Sequence, residues 1–167
     1  GERVFLDGNN GCGKSSLIKS ILAQVNGKTE RELNYEITGT LSVVSGLKIS
    51  YISQETSHLR GTLKAYAEKN DIDYTLLLTL LRQLDFSRVQ FGKDMIEFSE
   101  GQKKKVLIAS SLLTPAHIYI WDEPLNYIDV FSRMQIEKLL MHYAPTMLLV
   151  EHDVKFKETL STKLVKM

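Results

Sequence analysis

Eight consecutive residues near the start, Gly8-Asn9-Asn10-Gly11-Cys12-Gly13-Lys14-Ser15, fit the pattern G-x-x-x-x-G-K-[ST]. Residues of these types at this spacing hold phosphate. The glycines let the backbone wrap closely around phosphate oxygens. Successive amides form an anion-binding nest, and the start of a helix adds its positive dipole end. Lys14 is expected to reach the terminal phosphates as a point charge, and the Ser15 hydroxyl to enter a Mg²⁺ shell. Ser16, the next residue, is grouped with the phosphate contacts. A helix N-terminus can make a thiol such as Cys12 reactive. The expected role of Cys12 is plainer: a small residue whose backbone amide does the binding.

A second cluster is Ile118-Tyr119-Ile120-Trp121-Asp122-Glu123, an apolar run ending in two acids. Apolar residues bury a strand, and acids at its carboxyl end sit where sheets of the α/β class bind ligands. Asp122 is placed to hold Mg²⁺ directly or through water. Glu123, one residue on, points elsewhere and could polarise an attacking water. A strand ending in Asp-Glu says little alone. Beside the Gly-rich loop it points to phosphoryl-group chemistry.

These residues need elements to carry them. Val4 to Asp7 is a short apolar run that suits a buried strand leading into the Gly-rich turn. From Lys14 to Val25, Leu17, Ile18, Ile21, Leu22 and Val25 recur at helical spacing, and Asn26-Gly27 is a stop. Residues 28–36 are polar and poorly patterned. Leu41 to Val44 and Leu47 to Ile52 are expected to pair as a hairpin around Ser45-Gly46. From Thr62 to about Phe86 the pattern is helical, with Leu77, Leu80, Leu81 and Leu84 on one stripe. A helix is predicted from near Ser99 to Leu113, stopped by Pro115. A strand follows at Ile118 to Asp122, then a helix marked by Ile136, Leu139, Leu140 and Tyr143. The last predicted strand is Thr146 to Val150, with a polar turn at Glu151-His152-Asp153. Strands alternating with helices imply an α/β fold with a mainly parallel sheet.

Composition narrows the class. The chain has 167 residues, 43% hydrophobic and 25% charged, which fits one globular domain and argues against wholesale disorder. Its 21 basic and 20 acidic residues give a net charge of +1, so bulk charge alone cannot bind nucleic acid. A local basic patch remains open, and Lys103-Lys104-Lys105 is the candidate, for RNA or acidic partners. The preferred reading of that run is a solvated helix face. Cys12 is the only cysteine, which excludes an internal disulfide and a Cys-rich zinc site and makes a reducing compartment the default. No apolar run approaches the roughly 18 residues of a membrane-spanning helix. Gly1 runs almost at once into an apolar stretch, and the chain is read as a piece of a longer protein.

Taken in order, the motifs resemble those of ABC ATPases. Phe98-Ser99-Glu100-Gly101-Gln102 is similar to the ABC signature, usually written Leu-Ser-Gly-Gly-Gln. The order also matches: phosphate loop, Gln54 as Q-loop, signature, then Asp122-Glu123-Pro124. Asp129 falls where the D-loop aspartate belongs, and His152 where the switch histidine belongs. The resemblance spans nearly the whole chain on six ordered motifs. It implies a P-loop ABC fold, with a short antiparallel β region and a small helical subdomain at about 61–103 inserted in a core of about 1–60 and 104–167. It implies ATP with Mg²⁺ as ligands. Phosphates would lie on Gly8, Asn9, Asn10, Gly11, Cys12, Gly13, Lys14, Ser15 and Ser16, and the metal on Ser15, Gln54 and Asp122. Glu123 and His152 would be catalytic. Ser99, Glu100, Gly101 and Gln102 would act on the ATP of a second ABC domain facing head to tail. Ser99 with Gln102 also fits an ordinary capping box, and a cap with free amides is itself an anion site. His58, His117 and His142 receive no role.

Within that family the chain resembles the ABC-F branch. About 40 residues separate Lys14 from Gln54 and about 45 separate Gln54 from Ser99, a shorter helical region than transporter ATPases carry. Glu100 in place of the first signature glycine is frequent in ABC-F proteins. Asp122-Glu123-Pro124-Leu125-Asn126-Tyr127-Ile128-Asp129 is similar to their run Asp-Glu-Pro-Thr-Asn-His-Leu-Asp, in the variant of the Vga, Lsa and Msr type. With no room for an extra arm, the chain resembles the second, C-terminal domain of a cytoplasmic protein that binds ribosomal RNA and tRNA and confers antibiotic resistance by target protection. No direct membrane insertion is implied. The family's adenine-stacking aromatic lies upstream of the phosphate loop and is expected outside this chain. An isolated domain is expected to hydrolyse ATP poorly unless it dimerises. The alternatives are an ATP-binding subunit of a membrane transporter and an ATP-sensing scaffold with little turnover.

Overall fold

Alternating side chains along the strands assign the two faces of the sheet to different helices in the computed structural model, which describes residues 1–27, 35 and 38–167. Strands β1 (Arg3–Asp7), β2 (Ile49–Ile52), β3 (Ile118–Asp122), β4 (Met147–Val150) and β5 (Lys163–Lys166) form one parallel sheet in the order β2-β3-β4-β1-β5. Phe5, Trp121, Met147 and Leu149 join the larger core with α2 (Leu63–Lys69), α3 (Tyr74–Gln83), α4 (Glu100–Leu113), α5 (Val130–Tyr143) and α6 (Val154–Leu160). Their sequence neighbours Leu6, Ile120, Leu148 and Val150 point to the opposite face and pack with Ile18 and its neighbours on α1 (Lys14–Val25). A strand whose successive residues are all apolar is the pattern of a parallel sheet covered on both faces.

Helix α4 is the hub of the larger layer. It lies between α3 and the edge strand β2, and its residues from Lys104 to Ser111 are all buried. Two of them bring hydroxyls into the core. Ser111 accepts from the Trp121 indole Nε1 at 2.9 Å and shares a 2.7 Å hydrogen bond with Ser50 of β2. These bonds satisfy polar atoms that burial would otherwise leave unpaired, and they fix α4 against β2 and β3.

Several expectations need correction. The hairpin at 41–52 does not form: Leu41 to Val44 has no strand, although Ser45-Gly46 is a turn. Lys48 pairs instead with His117, its amide donating to His117 Nδ1 at 2.9 Å and its carbonyl accepting from the His117 amide at 2.9 Å. That anchor delivers Ile49–Ile52 parallel to β3. Among the described residues, antiparallel pairing is limited to one bridge between Thr62 and Asp94. The helical stretch from Thr62 splits in two at Asn70–Asp73, where Asp71 takes a left-handed φ of 54° and Asp73 caps α3. Helix α6 and strand β5 are additional to the expected elements. The polar stretch 28–36 lies, apart from Tyr35, outside the described residues.

Candidate functional site

The carboxyl ends of β1, β2, β3 and β4 converge, and the motif residues sit on the loops that leave them. Gly11 and Gly13 in the first loop adopt φ of 85° and 105°, a region that a β-carbon disfavours. Gly13 is the N-cap of α1, and no side chain caps that helix end. Its first amides are therefore left to an anion. Lys14 is buried and folds back under the loop, where Nζ donates to Gly8 O at 2.8 Å and Asn9 O at 3.0 Å. The loop is thus held in its phosphate-receiving shape by the residue expected to bind phosphate. Exposed Cys12 has its sulfur 3.7 Å from the same ammonium.

Two residues, Ser15 at the start of α1 and Gln54 on the loop after β2, meet at the carboxylate of Asp122. Ser15 Oγ donates to Asp122 Oδ2 at 3.2 Å, and Gln54 Nε2 donates to Asp122 Oδ1 at 3.1 Å. Asp122 is buried at the end of β3. Hydroxyl, amide and carboxylate are hard oxygen donors, suited to Mg²⁺, which keeps several waters and uses few protein ligands. Among the described residues no group of His, Cys, Asp and Glu has the make-up of a denser metal cage. The residues present fit Mg²⁺.

Glu123 turns away from Asp122 because its backbone is left-handed, with φ of 50°. Such a conformation is uncommon for a non-glycine residue and gathers at functional sites. Its amide donates to Val150 O at 2.9 Å. Its carboxylate accepts from Asn126 Nδ2 at 2.8 Å and lies 3.5 Å from His152 Nε2. The phosphate loop, Gln54 and Glu123 together line a polar cavity of about 410 Å³.

The signature residues do not line that cavity. Ser99 caps α4 with a complete capping box: Ser99 Oγ accepts from Gln102 N, and Gln102 Oε1 accepts from Ser99 N. Gly101 lies against the β3–α5 loop so closely that a β-carbon would fall 2.4 Å from Tyr127 O. Glu100 keeps about half of its side chain in solvent, with Oε2 bonded to the Thr56 hydroxyl and Oε1 to Lys103 Nζ at 3.2 Å.

The three lysines that follow are not a solvated face, nor a basic patch. Lys104 is buried and donates to Ser53 O at 3.0 Å. Lys105 is buried and pairs with Asp129 at 2.7 Å. Burial works against ionisation of Asp129, but the Lys105 ammonium and the Ser132 amide and hydroxyl outweigh it and hold its pKa down at about 2. A carboxyl depressed in the fold contributes stability above its unfolded pKa, and loses it as pH falls through the folded one. Unfolding midpoints measured from pH 5 to pH 2 should therefore fall less steeply in Asp129→Asn than in the parent chain, while the variant starts from a lower midpoint at pH 7. Equal slopes would remove the ionised Asp129 from the account.

Sequence reading missed two organisers, buried Glu151 and half-buried Arg133. Glu151 accepts from the amides of Leu125 at 3.2 Å and His152 at 2.8 Å, so one carboxylate ties the loop of Glu123 to that of His152. Arg133 adds a second tie, to the carbonyls of Leu125 and Ile128 and to Asp153 at 2.7 Å. The only local signal for Glu151 is an acid at the end of an apolar strand, the pattern that singled out Asp122.

A family profile described as ABC transporter matches residues 1–126. The chain is 32% identical to the ribosome protection protein VmlR of Bacillus subtilis (strain 168), over 99% of this chain and 29% of that protein. It is 30% identical to the ATP-binding protein Uup of Buchnera aphidicola subsp. Acyrthosiphon pisum (strain APS), over 98% of this chain and 27% of that protein. In a solved complex of an archaeal ribosomal stalk protein with an archaeal ribosome recycling factor, one chain superposes with a TM-score of 0.74 at 28% identity, covering 99% of this chain and 31% of that one. The chain therefore spans under a third of the length of these curated relatives.

Proposed function

The chain belongs to the ABC transporter family and curated relatives such as VmlR and Uup are ABC-F proteins, and on that premise we propose that it binds MgATP and hydrolyses it against a second ABC domain facing it head to tail. The observation that carries this reading is the convergence of Ser15 and Gln54 on the two oxygens of Asp122. Gly8 to Ser16 would hold the phosphates, with Ser15, Gln54 and Asp122 around Mg²⁺. The metal, when bound, neutralises charge on the phosphate oxygens. Glu123 takes the proton of the attacking water, and His152 orients that water beside it. Asn126 aims Glu123 by its 2.8 Å hydrogen bond. Ser99, Glu100, Gly101 and Gln102 present the cap of α4 to the partner domain's nucleotide, with Asp129 on the adjoining loop. Residues 61–103 serve as the helical subdomain.

The relatives support a ribosomal setting. One is named a ribosome protection protein, and the archaeal neighbour is a ribosome recycling factor. No helix among the described residues is long and apolar enough to cross a membrane. We infer that the chain is the second domain of a cytoplasmic ABC-F protein that binds ribosomal RNA and tRNA and protects the ribosome from an antibiotic. The test uses the full parent protein. It should pellet with ribosomes more strongly with ATP than with ADP, and its expression should raise the inhibitory concentration of a ribosome-targeting drug. Co-purification with a membrane subunit in place of ribosomes would sink this reading and support the transporter alternative.

A further inference from the structure

The loop after β2 carries Gln54, and the start of α4 grips that loop on both sides of it. On one side, Lys104 Nζ donates to Ser53 O at 3.0 Å. On the other, the Thr56 hydroxyl donates to Glu100 Oε2. Lys104 is 2% exposed and Thr56 4%. Packing alone does not ask for either: a methionine fills the volume of a buried lysine, and a valine that of a threonine. An ammonium withdrawn from water is costly unless carboxylates and hydrogen bonds compensate it. Burial pushes the Lys104 ammonium below the usual lysine range, and Asp122, Glu123, Glu100 and Glu151 act against that. The contact shown for the ammonium is its 3.0 Å hydrogen bond to Ser53 O.

Between the two grips Gln54 meets Asp122 at 3.1 Å. The same turn of α4 holds the Ser99–Gln102 capping box, outside the cavity that Gln54 lines. The start of α4 thus touches two places: its cap lies outside that cavity, and its Glu100 and Lys104 bond to the loop of Gln54.

We propose that Lys104 and Glu100 are positioning residues that set Gln54 against Asp122, so that whatever engages the cap of α4 also adjusts the metal-binding side chain of this domain. The nature of that metal and of the ligand on the cap rests on the proposed function; the clamp itself does not. It also assigns Glu100 a place: the acid that stands where the family has glycine is directed at its own domain's loop.

The clamp is tested in the full protein with Thr56→Val, Thr56→Ser and Lys104→Met. Amide hydrogen exchange of residues 53–57, measured without nucleotide, should speed up by about tenfold in Thr56→Val and Lys104→Met, the scale of losing one hydrogen bond to a charged group. Thr56→Ser restores the hydroxyl and should restore the parent rate. In turnover, the Mg²⁺ concentration for half-maximal rate should rise severalfold in the first two variants while binding of metal-free ATP stays unchanged. Parent-like exchange in folded Thr56→Val, or Thr56→Ser as fast as Thr56→Val, would overturn the clamp. If Lys104→Met fails to fold, the threonine pair decides. A parent protein without turnover but with the predicted exchange pattern would refute the hydrolytic reading and leave the clamp standing.

Discussion

Glu123→Gln should abolish most turnover while leaving nucleotide binding intact. Removing a general base costs about 10²- to 10⁴-fold in rate, and nothing in the phosphate-holding set depends on Glu123. Lys14 bonds to Gly8 and Asn9, and Ser15 and Gln54 bond to Asp122. Glutamine has the shape of glutamate and retains an oxygen for the Asn126 amide that aims it. The left-handed backbone at position 123 is no harder for glutamine than for glutamate. Only the negative charge and the basic oxygen disappear. Equilibrium binding of ATP should change by less than about twofold, since the lost group acts on water and not on the phosphates. In the full protein the two domains should stay closed on ATP, visible as a slower-exchanging or more compact species. Unchanged turnover would remove Glu123 from its role.

Glu123 is legible in the sequence and other site residues are not, for a physical reason. The phosphate loop is a local device: strand, loop, helix and lysine are contiguous, so spacing carries the geometry. Asp122 and Glu123 end one apolar strand, again locally. Their meeting with Gln54 and His152 is set by strand order, which the order of the motifs implied through family resemblance. Glu151, Arg133 and Lys104 act between segments distant in sequence, so no window of residues contains their partners. Lys104 and Lys105 were misread for a related reason. A run of three lysines on a helix suggests a wet face, but α4 is covered on nearly every side and has no polar face to display. Its lysines are buried because acids and carbonyls from the loops of Gln54 and Asp129 await them. The hairpin expected around Ser45-Gly46 is absent although its turn forms: β2 pairs with β3, next to the Lys48–His117 contact, and no window of residues around the turn contains that partner.

A pair of singly defective chains should recover activity that neither shows alone. Lys14→Met removes the charge that reaches the phosphates, and should weaken ATP binding by about a hundredfold or more, the scale of charge-assisted hydrogen bonds. Ser99→Arg fills the outward face of the α4 cap and breaks its capping box, at a stability cost of about 1 kcal/mol. It leaves the chain's own phosphate loop untouched, and the Glu100 and Lys104 contacts that hold the loop of Gln54 do not use the Ser99 side chain. If each active site takes its phosphate loop from one domain and its cap from the other, each homodimer contains two broken sites. A mixed dimer contains one site with both defects and one with none. Mixing should therefore raise turnover well above the mean of the separate variants, and the gain should follow dimer concentration. The position of the signature outside the cavity of Lys14 and Gln54 is what makes this necessary, because within one chain the cap of α4 does not line that cavity. A double variant mixed with the parent chain is the control, since every mixed dimer then holds one doubly defective chain and no intact site. In a parent chain that dimerises and turns over ATP, turnover of the variants that is merely additive on mixing, or parent turnover that is robust in a verified monomer, would refute the shared site and leave a single-domain ATPase in its place.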